Sequence, residues 1–297
     1  MRKLFCLAFA LAALPIMPAL GADPGNDETI IVHGMTPQAV RREIDKLASA
    51  PWNHQLARWG ANFCPTVVGL PDPYQTVVME HVERAARAVI SDATAKCARP
   101  NVFILFNEDG TAAFDQILDR APMLGNTSPL VAIDTSDFQP PGDDDITDLK
   151  VDRPVRWYRS TVTDPAPGVV AVWDPRFHRF VATNNVKISQ QEKDTVAHVS
   201  SLMVIVDTQR ATGARLGQLA DYIAFVILAG PKLGEDFSSV SIMSLFDGSR
   251  FNPAAPEGLT PFDHAMLGAL YDADPAREAH DEQAEIASRV RSTLAHH

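Results

Sequence analysis

The first 22 residues determine which part of this chain is available to fold. Arg2 and Lys3 form a positive start, an apolar stretch follows, and the segment ends in the small residues Gly21 and Ala22. This order is typical of a secretory signal peptide. A membrane anchor is the alternative, but two prolines interrupt an apolar run shorter than the roughly 20 residues that a membrane-spanning helix needs. We expect residues 1–22 to be removed and the protein to be exported to the periplasm or the cell exterior, not embedded in a membrane.

The composition of the chain describes an acidic protein with enough apolar residues for a sizeable core. Hydrophobic residues make up 46% of the sequence, and the formal net charge is -11. Removal of Arg2 and Lys3 makes the charge still more negative. Nucleic acids and anionic membranes repel such a charge, and no basic cluster overrides it. We therefore expect no nucleic-acid partner. The roughly 275 residues after the signal peptide suit one large domain or two small ones.

Two cysteines, Cys64 and Cys97, remain after the signal peptide, because Cys6 lies inside it. In an exported protein two cysteines most simply form one disulfide, which here closes a loop of about 30 residues and contributes roughly 3 kcal/mol by the chain-entropy model. Two unpaired buried thiols are the alternative.

Hydrophobic periodicity and capping residues predict the secondary structure after residue 28. Helices are expected at about 36–48, 73–92, 111–120 and 216–229, after Thr260-Pro261, and as a charged segment over 275–295. Strands are expected at about 29–33, 101–106, 155–163, 169–173 and 201–206. Residues 51–73, 121–150 and most of 230–258 lack such patterns, so we expect them to be irregular.

The stretch from Met203 to Tyr271 resembles the catalytic half of zincin metallopeptidases. A strand at 202–206 and the helix at 216–229 come first. Ser241-Ile242-Met243 follows and is similar to the S-x-M turn whose methionine lies beneath the metal in metzincin-like enzymes. The last piece is similar to the L-T-x-x-D-x-x-x-L-x-x-L-Y helix that often closes this fold, and it consists of Leu259, Thr260, Asp263, Leu267, Leu270 and Tyr271.

This resemblance implies an α+β, zincin-like fold with a mixed sheet packed on helices and a helical C-terminal part. It implies a single domain over residues 23–275, followed by a charged C-terminal helix or tail at 276–297. Most of the exported chain also resembles a group of secreted alphaproteobacterial proteins that have no known activity. The similar segments are Gln55-Leu56-Ala57-Arg58-Trp59, Cys64-Pro65 and Gly217-Gln218-Leu219-Ala220-Asp221-Tyr222.

The expected zincin helix lacks the residues that bind and use zinc. In H-E-x-x-H the two histidines bind the metal and the glutamate activates water. Here Gln218 and Tyr222 occupy the histidine positions and Leu219 occupies the glutamate position. A shift of register does not restore the motif, because no histidine occurs between His198 and His264. We therefore predict a pseudoenzyme with no catalytic residue, metal ligand or cofactor in this helix.

Two further clusters each allow two interpretations. Asp143, Asp144 and Asp145 are suitable calcium ligands, although their spacing matches no known calcium loop, and a solvated acidic loop is the alternative. The aromatic residues near Trp59, which include Trp52 and Phe63, line either a ligand groove or a minor core. A metal site built from distant histidines and a dispersed Ser-His-Asp triad also remain open, since their members need not be close in sequence.

The candidate pocket lies where the zincin cleft would be. Gln218, Asp221, Tyr222 and Met243 are the side chains expected nearest to it. The sequence predicts a non-catalytic binding or interaction protein whose partner is a peptide, an envelope component or another protein. A secreted hydrolase with an unrecognised active site is the alternative.

Overall fold

The computed structural model describes residues 35–50, 55–60, 62–91, 93, 97, 99–120, 143–166, 171–174, 179–182, 193 and 195–296. The expected signal peptide and the strand expected at 29–33 lie outside these residues. The helices are α1 (Pro37–Leu47), α2 (Asp72–Val89), α3 (Gly110–Arg120), α4 (Asp143–Lys150), α5 (Leu216–Ala229), α6 (Pro261–Asp272) and α7 (Ala279–Ala295). The strands are β1 (Pro65–Val68), β2 (Val102–Asn107), β3 (Val155–Pro165), β4 (Ala171–Asp174), β5 (Arg179–Ala182), β6 (Thr195–Asp207), β7 (Phe246–Asp247) and β8 (Arg250–Phe251). A 3₁₀ helix covers Ile242–Leu245.

A four-stranded mixed sheet organises the fold, in the order β1-β2-β6-β3. Strands β1, β2 and β6 run parallel, whereas β3 pairs antiparallel with β6. Helix α2 connects β1 to β2, because parallel neighbours require a crossover connection. Strands β4 and β5 form one separate pair, and β7 and β8 form another. The expected α+β class with a mixed sheet is confirmed.

The central strand β6 is buried on both faces and separates two layers of helices. Val204 and Val206 belong to the large core, which also includes the apolar faces of α2 and α5. Ile205 points the other way and packs with Phe114 of α3 and Leu149 of α4. Because side chains alternate along a strand, one run of apolar residues serves both layers.

Helix α7, which lies in the segment predicted to be a charged C-terminal helix or tail, contributes side chains to the same core. It packs against α1 and α6, and the side chains of Ile286 and Val290 are fully buried. Glu282 of α7 is also buried, and its carboxylate forms an ion pair with Arg58. Leu56 donates its backbone N–H to the same carboxylate at 3.4 Å. The C-terminal helix is therefore joined to the segment that precedes β1.

The disulfide expected between Cys64 and Cys97 is present, with the two Cα atoms 5.0 Å apart. Asn101 lies beside it, where its side-chain oxygen accepts a hydrogen bond from the Cys64 backbone N–H at 2.9 Å. The disulfide therefore links the residues just before β1 to the segment that leads into β2.

Three segments expected to be irregular contain regular structure. Residues 65–68 form β1, because a parallel partner, β2, satisfies the backbone of this short Thr-Val-Val run. Residues 143–150 form α4, where the fully buried Leu149 packs on α3. Residues 242–251 form the 3₁₀ helix and the β7–β8 pair. These elements depend on tertiary partners and are too short to show a periodic pattern.

No helix in the described part of the chain combines the length and the apolar character needed to cross a bilayer.

Candidate functional site

The turn that contains Met243 is held by the first turn of helix α6. Asp263 is fully buried there, where its carboxylate accepts hydrogen bonds from Ser241 Oγ at 2.6 Å and from the Ile242 backbone N–H at 2.9 Å. The same carboxylate accepts from the Thr260 backbone N–H at 2.9 Å, which completes a capping box for α6. Burial raises the pKa of Asp263, and these hydrogen bonds oppose the rise. The buried turn is thereby held in one position next to α5.

Met243 and Tyr222 line a cavity of about 310 Å³ between β3, α5 and the loop before the 3₁₀ helix. Its wall is formed by Val151, Asp152, Arg153, Pro154, Val155, Trp157, Tyr222, Leu233, Gly234, Glu235, Asp236, Phe237, Met243, Phe246, Gly248 and Ser249. This volume lies at the lower end of the range of about 300–1,000 Å³ that ligand pockets occupy. The cavity is therefore suited to one small group.

Aromatic side chains form the inner wall of this cavity. The Tyr222 ring meets Trp157 edge to face at a centroid distance of 6.4 Å and Phe246 at 5.4 Å. Trp157 is fixed because its indole N–H donates to the Pro231 carbonyl at 3.0 Å. Burial raises the pKa of the Tyr222 phenol, so Tyr222 is neutral at physiological pH. The inner wall therefore offers flat, apolar contact surfaces.

Arg153 is the only cationic residue among the described residues that line the cavity. Its Nε is buried and has no hydrogen-bond partner within the described part of the chain. The guanidinium lies close to Gly234, where an added Cβ would be 3.3 Å from its Nη1. Burial lowers the pKa of Arg153, and the charge of Asp148 opposes this effect.

Two acidic residues of the lining are paired with other cations. Asp152 lies 2.6 Å from Arg210 and accepts from the Thr111 hydroxyl at 2.7 Å. Glu235 lies 2.6 Å from Lys232. Neither carboxylate forms an ion pair with Arg153, and no such pair with Arg153 is seen within the described residues.

Two of the four predicted pocket residues do not line this cavity. The buried Gln218 donates its side-chain amide to the Pro256 carbonyl at 2.6 Å. Asp221 faces α2, where it lies 2.6 Å from Nδ1 of His81, and it also accepts from the Leu259 N–H at 3.3 Å. The structure thus brings Tyr222 and Met243 together and places Gln218 and Asp221 elsewhere.

The helix packing around Asp221 depends on glycine. An added Cβ at Gly217 would lie 3.3 Å from the His81 ring. A Cβ at Gly258 would lie 2.5 Å from the Asp221 carboxylate. These two positions allow the close contact of α5 with α2 and with the segment before α6.

The other predicted clusters supply no site in the described residues. Trp59 and Phe63 are buried in the core, with ring centroids 5.4 Å apart, and Trp59 donates to the Ile227 carbonyl. Trp52 lies outside the described residues. The acidic run at 143–145 begins helix α4 and is not a loop. Within the described part of the chain, no three His, Cys, Asp or Glu side chains are grouped so that they could hold a metal ion.

Sequence reasoning missed Arg153 and Trp157. Alternation along an extended segment places Arg153, Val155 and Trp157 on one face, which was the available signal. That signal does not indicate that this face packs over Tyr222, because Tyr222 lies in a separate helix more than 60 residues further along the chain.

Comparisons with known proteins identify no relative of this chain: no family model matches it, and no curated protein or solved structure is significantly similar.

Proposed function

We propose that this chain is an exported, non-catalytic binding protein built on a zincin-like scaffold, with its ligand site in the cavity beside Tyr222. The observation that carries the proposal is the position of Tyr222. It occupies the second histidine position of the expected zinc helix, and its ring contributes to the aromatic wall of the cavity. A position that would hold a metal ligand in a zincin provides a contact surface here.

The arrangement of the neighbouring elements supports a zincin-like scaffold. Strand β6, helix α5, the Ser241-Ile242-Met243 turn and helix α6 follow one another in the order that the resemblance requires. The hydrogen bonds from Ser241 and Ile242 to Asp263 join two of the three resembling pieces directly.

The chemistry of helix α5 supports binding rather than turnover. Leu219 is an aliphatic side chain at the position of the zincin glutamate, so it cannot accept a proton. Gln218 already donates to the Pro256 carbonyl. A peptide, an envelope component or a partner protein remains the proposed class of ligand. The Cys64–Cys97 disulfide is consistent with an exported protein.

The pair of His81 and Asp221 supports a second candidate, a secreted hydrolase. A carboxylate 2.6 Å from an imidazole nitrogen resembles the base and its orienting acid in a catalytic triad. Asp221 is, however, the only hydrogen-bond partner of His81 among the described residues, so no serine or cysteine nucleophile is in contact with it. The binding proposal is therefore the better supported.

A blocked cavity tests the binding proposal. Ser249 is an exposed residue of the cavity wall, so Ser249→Trp is expected to obstruct the cavity without disturbing the core. Ser288→Trp, at an exposed position of α7, is the matched control. Calorimetric titration of the mature protein with peptide pools, cell-wall fragments and periplasmic extract is expected to show binding. Ser249→Trp is expected to weaken that binding at least tenfold, whereas Ser288→Trp leaves it unchanged.

Three outcomes would contradict the binding proposal. They are the absence of binding to every ligand class, equal binding by the Ser249→Trp variant, and cleavage of a bound ligand detected by mass spectrometry. Cleavage abolished by His81→Ala would favour the hydrolase. Stoichiometric zinc removed by a chelator would overturn the assignment as a degenerate zincin.

A further inference from the structure

We propose that the cavity recognises a carboxylate attached to an apolar group, with Arg153 binding the carboxylate and the aromatic wall holding the apolar group. This inference rests on the proposed binding function and specifies the chemical class of its ligand. A peptide with an apolar C-terminal residue and a free aromatic acid share this chemistry, and the experiment below separates them.

The state of Arg153 is the first argument. Its Nε is buried and lacks a hydrogen-bond partner in the described part of the chain. A buried donor without an acceptor is unfavourable, so such a group is usually satisfied by water, an ion or a ligand. A guanidinium has several donors in one plane and suits the two oxygens of a carboxylate.

The acidic groups around Arg153 do not neutralise it through direct contact. Asp152 and Glu235 pair with Arg210 and Lys232. Asp148 attracts Arg153 without forming an ion pair with it. Asp236 is exposed, and water screens its charge. Among the described residues the buried Nε of Arg153 therefore has no acceptor, and an incoming carboxylate would supply one.

The apolar wall is the second argument, and it is independent of the first. Trp157, Tyr222 and Phe246 form a continuous edge-to-face cluster, and Phe237 and Met243 extend the wall. An inorganic anion would leave these surfaces without a contact. A ligand with an apolar side chain next to its carboxylate would use both features, and the volume of about 310 Å³ restricts this part of the ligand to one small group.

Four probes test the inference. They are N-acetyl-phenylalanine, its C-terminal amide, a hexapeptide ending in phenylalanine with a free carboxylate, and the same hexapeptide amidated. Binding to the mature protein is followed by calorimetry. Each acid is expected to bind at least tenfold more tightly than its amide, and tighter binding of the acidic hexapeptide than of N-acetyl-phenylalanine would identify a peptide C-terminus as the ligand. The opposite order would identify a small aromatic acid.

Variants of Arg153 determine whether this residue recognises the carboxylate. Arg153→Gln is expected to remove the preference for the acids and to leave the binding of the amides unchanged. Arg42→Gln makes the same chemical change at an exposed position of α1 and is expected to bind like the wild type. If Arg153→Gln does not fold, Arg153→Lys takes its place, because lysine retains the positive charge. Its preference for the acids over the amides is expected to be intermediate.

The outcomes separate this inference from the proposed function. Equal binding of acids and amides by the wild type would overturn carboxylate recognition and leave a binding cavity. Equal weakening of acids and amides by Arg153→Gln would show that Arg153 has a structural role, which also overturns the inference. If none of the probes binds, the inference is wrong, and the Ser249→Trp titrations with the wider ligand set decide the proposed function separately.

Discussion

Asp263 shows how one buried carboxylate can join two elements. It caps α6 through Thr260 and holds the turn before Met243 through Ser241 and Ile242. A carboxylate is favourable at this position because it lies at the positive end of a helix. The contact with the turn therefore gives this capping residue a second structural role.

Replacement of Asp263 by alanine is expected to lower the free energy of unfolding by about 3 kcal/mol or more. The reason is that Ser241 Oγ and the N–H groups of Ile242 and Thr260 lose their common acceptor in a fully buried place. Asp263→Asn retains one acceptor oxygen, so its loss in the free energy of unfolding is expected to be smaller. Denaturant unfolding measures both changes. Asp247→Ala, at an exposed position, is the control and should have little effect; an equally small effect of Asp263→Ala would contradict the structural role.

Arg58 and Glu282 form a buried ion pair in the core. Arg58 contacts Glu282 and also donates through Nε to the Leu270 carbonyl. Burial lowers the pKa of Arg58 to about 10, and the charges of Asp274 and Glu285 oppose this effect. Removal of one partner would leave the other charge buried, which explains why two ionisable residues are retained together in the core.

Helix α5 shows which elements the sequence could predict. Its apolar residues lie on all sides, because α2, α6 and the 3₁₀ helix pack against it and Trp157 of β3 contacts its Tyr222. The predicted limits of 216–229 are those observed. The segment is long and strongly apolar, and it ends at Gly230, which adopts the left-handed conformation of a helix C-terminal cap. Such a segment is much more readily predicted as a helix than as a strand or a loop.

Helix α4 and strand β1 could not be predicted from their own residues. A run of aspartates is typical of the start of a helix, but such a polar run also suits a loop. Leu149 is the only fully buried apolar residue of α4 whose side chain is described. Four residues of β1 are too few for a periodic signal, and their pairing depends on β2. Local propensity is a weak guide for elements of this length.

The turn after β1 is expected to be sensitive to substitution at Gly69. This residue has φ of 90°, and an added Cβ would overlap the Phe106 carbonyl oxygen of the neighbouring strand. Gly248 also has positive φ, at 58°, but an added Cβ there has no atom within 4 Å.

The comparison of Gly69→Ala with Gly248→Ala separates the cost of a positive φ, which both variants share, from the cost of the steric overlap, which arises only at Gly69. Gly248→Ala should cost about 1 kcal/mol, the cost of a left-handed backbone for a residue with a Cβ. Gly69→Ala should cost about 3 kcal/mol or more, since the overlap is with backbone atoms of β2 that cannot move freely. Thermal unfolding of both variants provides the measurement. Equal losses would mean that the β1 turn relaxes away from β2.

The packing of the molecule buries Tyr222 and partly buries Tyr158 and Tyr271. Tyr158, Tyr222 and Tyr271 have pKa values raised by burial, whereas Tyr74 is 54% exposed. Because folding raises the pKa of a buried phenol, the neutral phenol is the form compatible with the fold. The contribution of this pKa difference to the free energy of unfolding is fully present below the pKa of an unfolded tyrosine, about 10. It is lost as the pH rises above that value.

Alkaline titration is therefore expected to unfold the protein cooperatively. In the Tyr74→Phe variant, which retains only the three tyrosines with raised pKa values, the phenolate absorbance should rise together with the loss of the folded circular dichroism signal. Stability should decrease progressively above about pH 10. A reversible rise of phenolate absorbance in the folded Tyr74→Phe variant would show that at least one of the three phenols is accessible to water.

The sequence alone determined the properties that depend on local chemistry. These include the pairing of Cys64 with Cys97, the limits of α5 and the cap of α6 at Thr260. Each follows from a pattern within one segment or from a small choice of partners. The expected signal peptide remains a prediction outside the described residues.

Only the tertiary structure decided the composition of the cavity. The antiparallel pairing of β3 with β6 places Arg153 and Trp157 beside Tyr222, and the hydrogen bonds to Asp263 hold the turn that carries Met243 next to α5. The same packing turned Asp221 toward His81 and Gln218 toward Pro256. A binding site formed by distant segments depends on how those segments pack, and residue spacing along the chain does not contain that information.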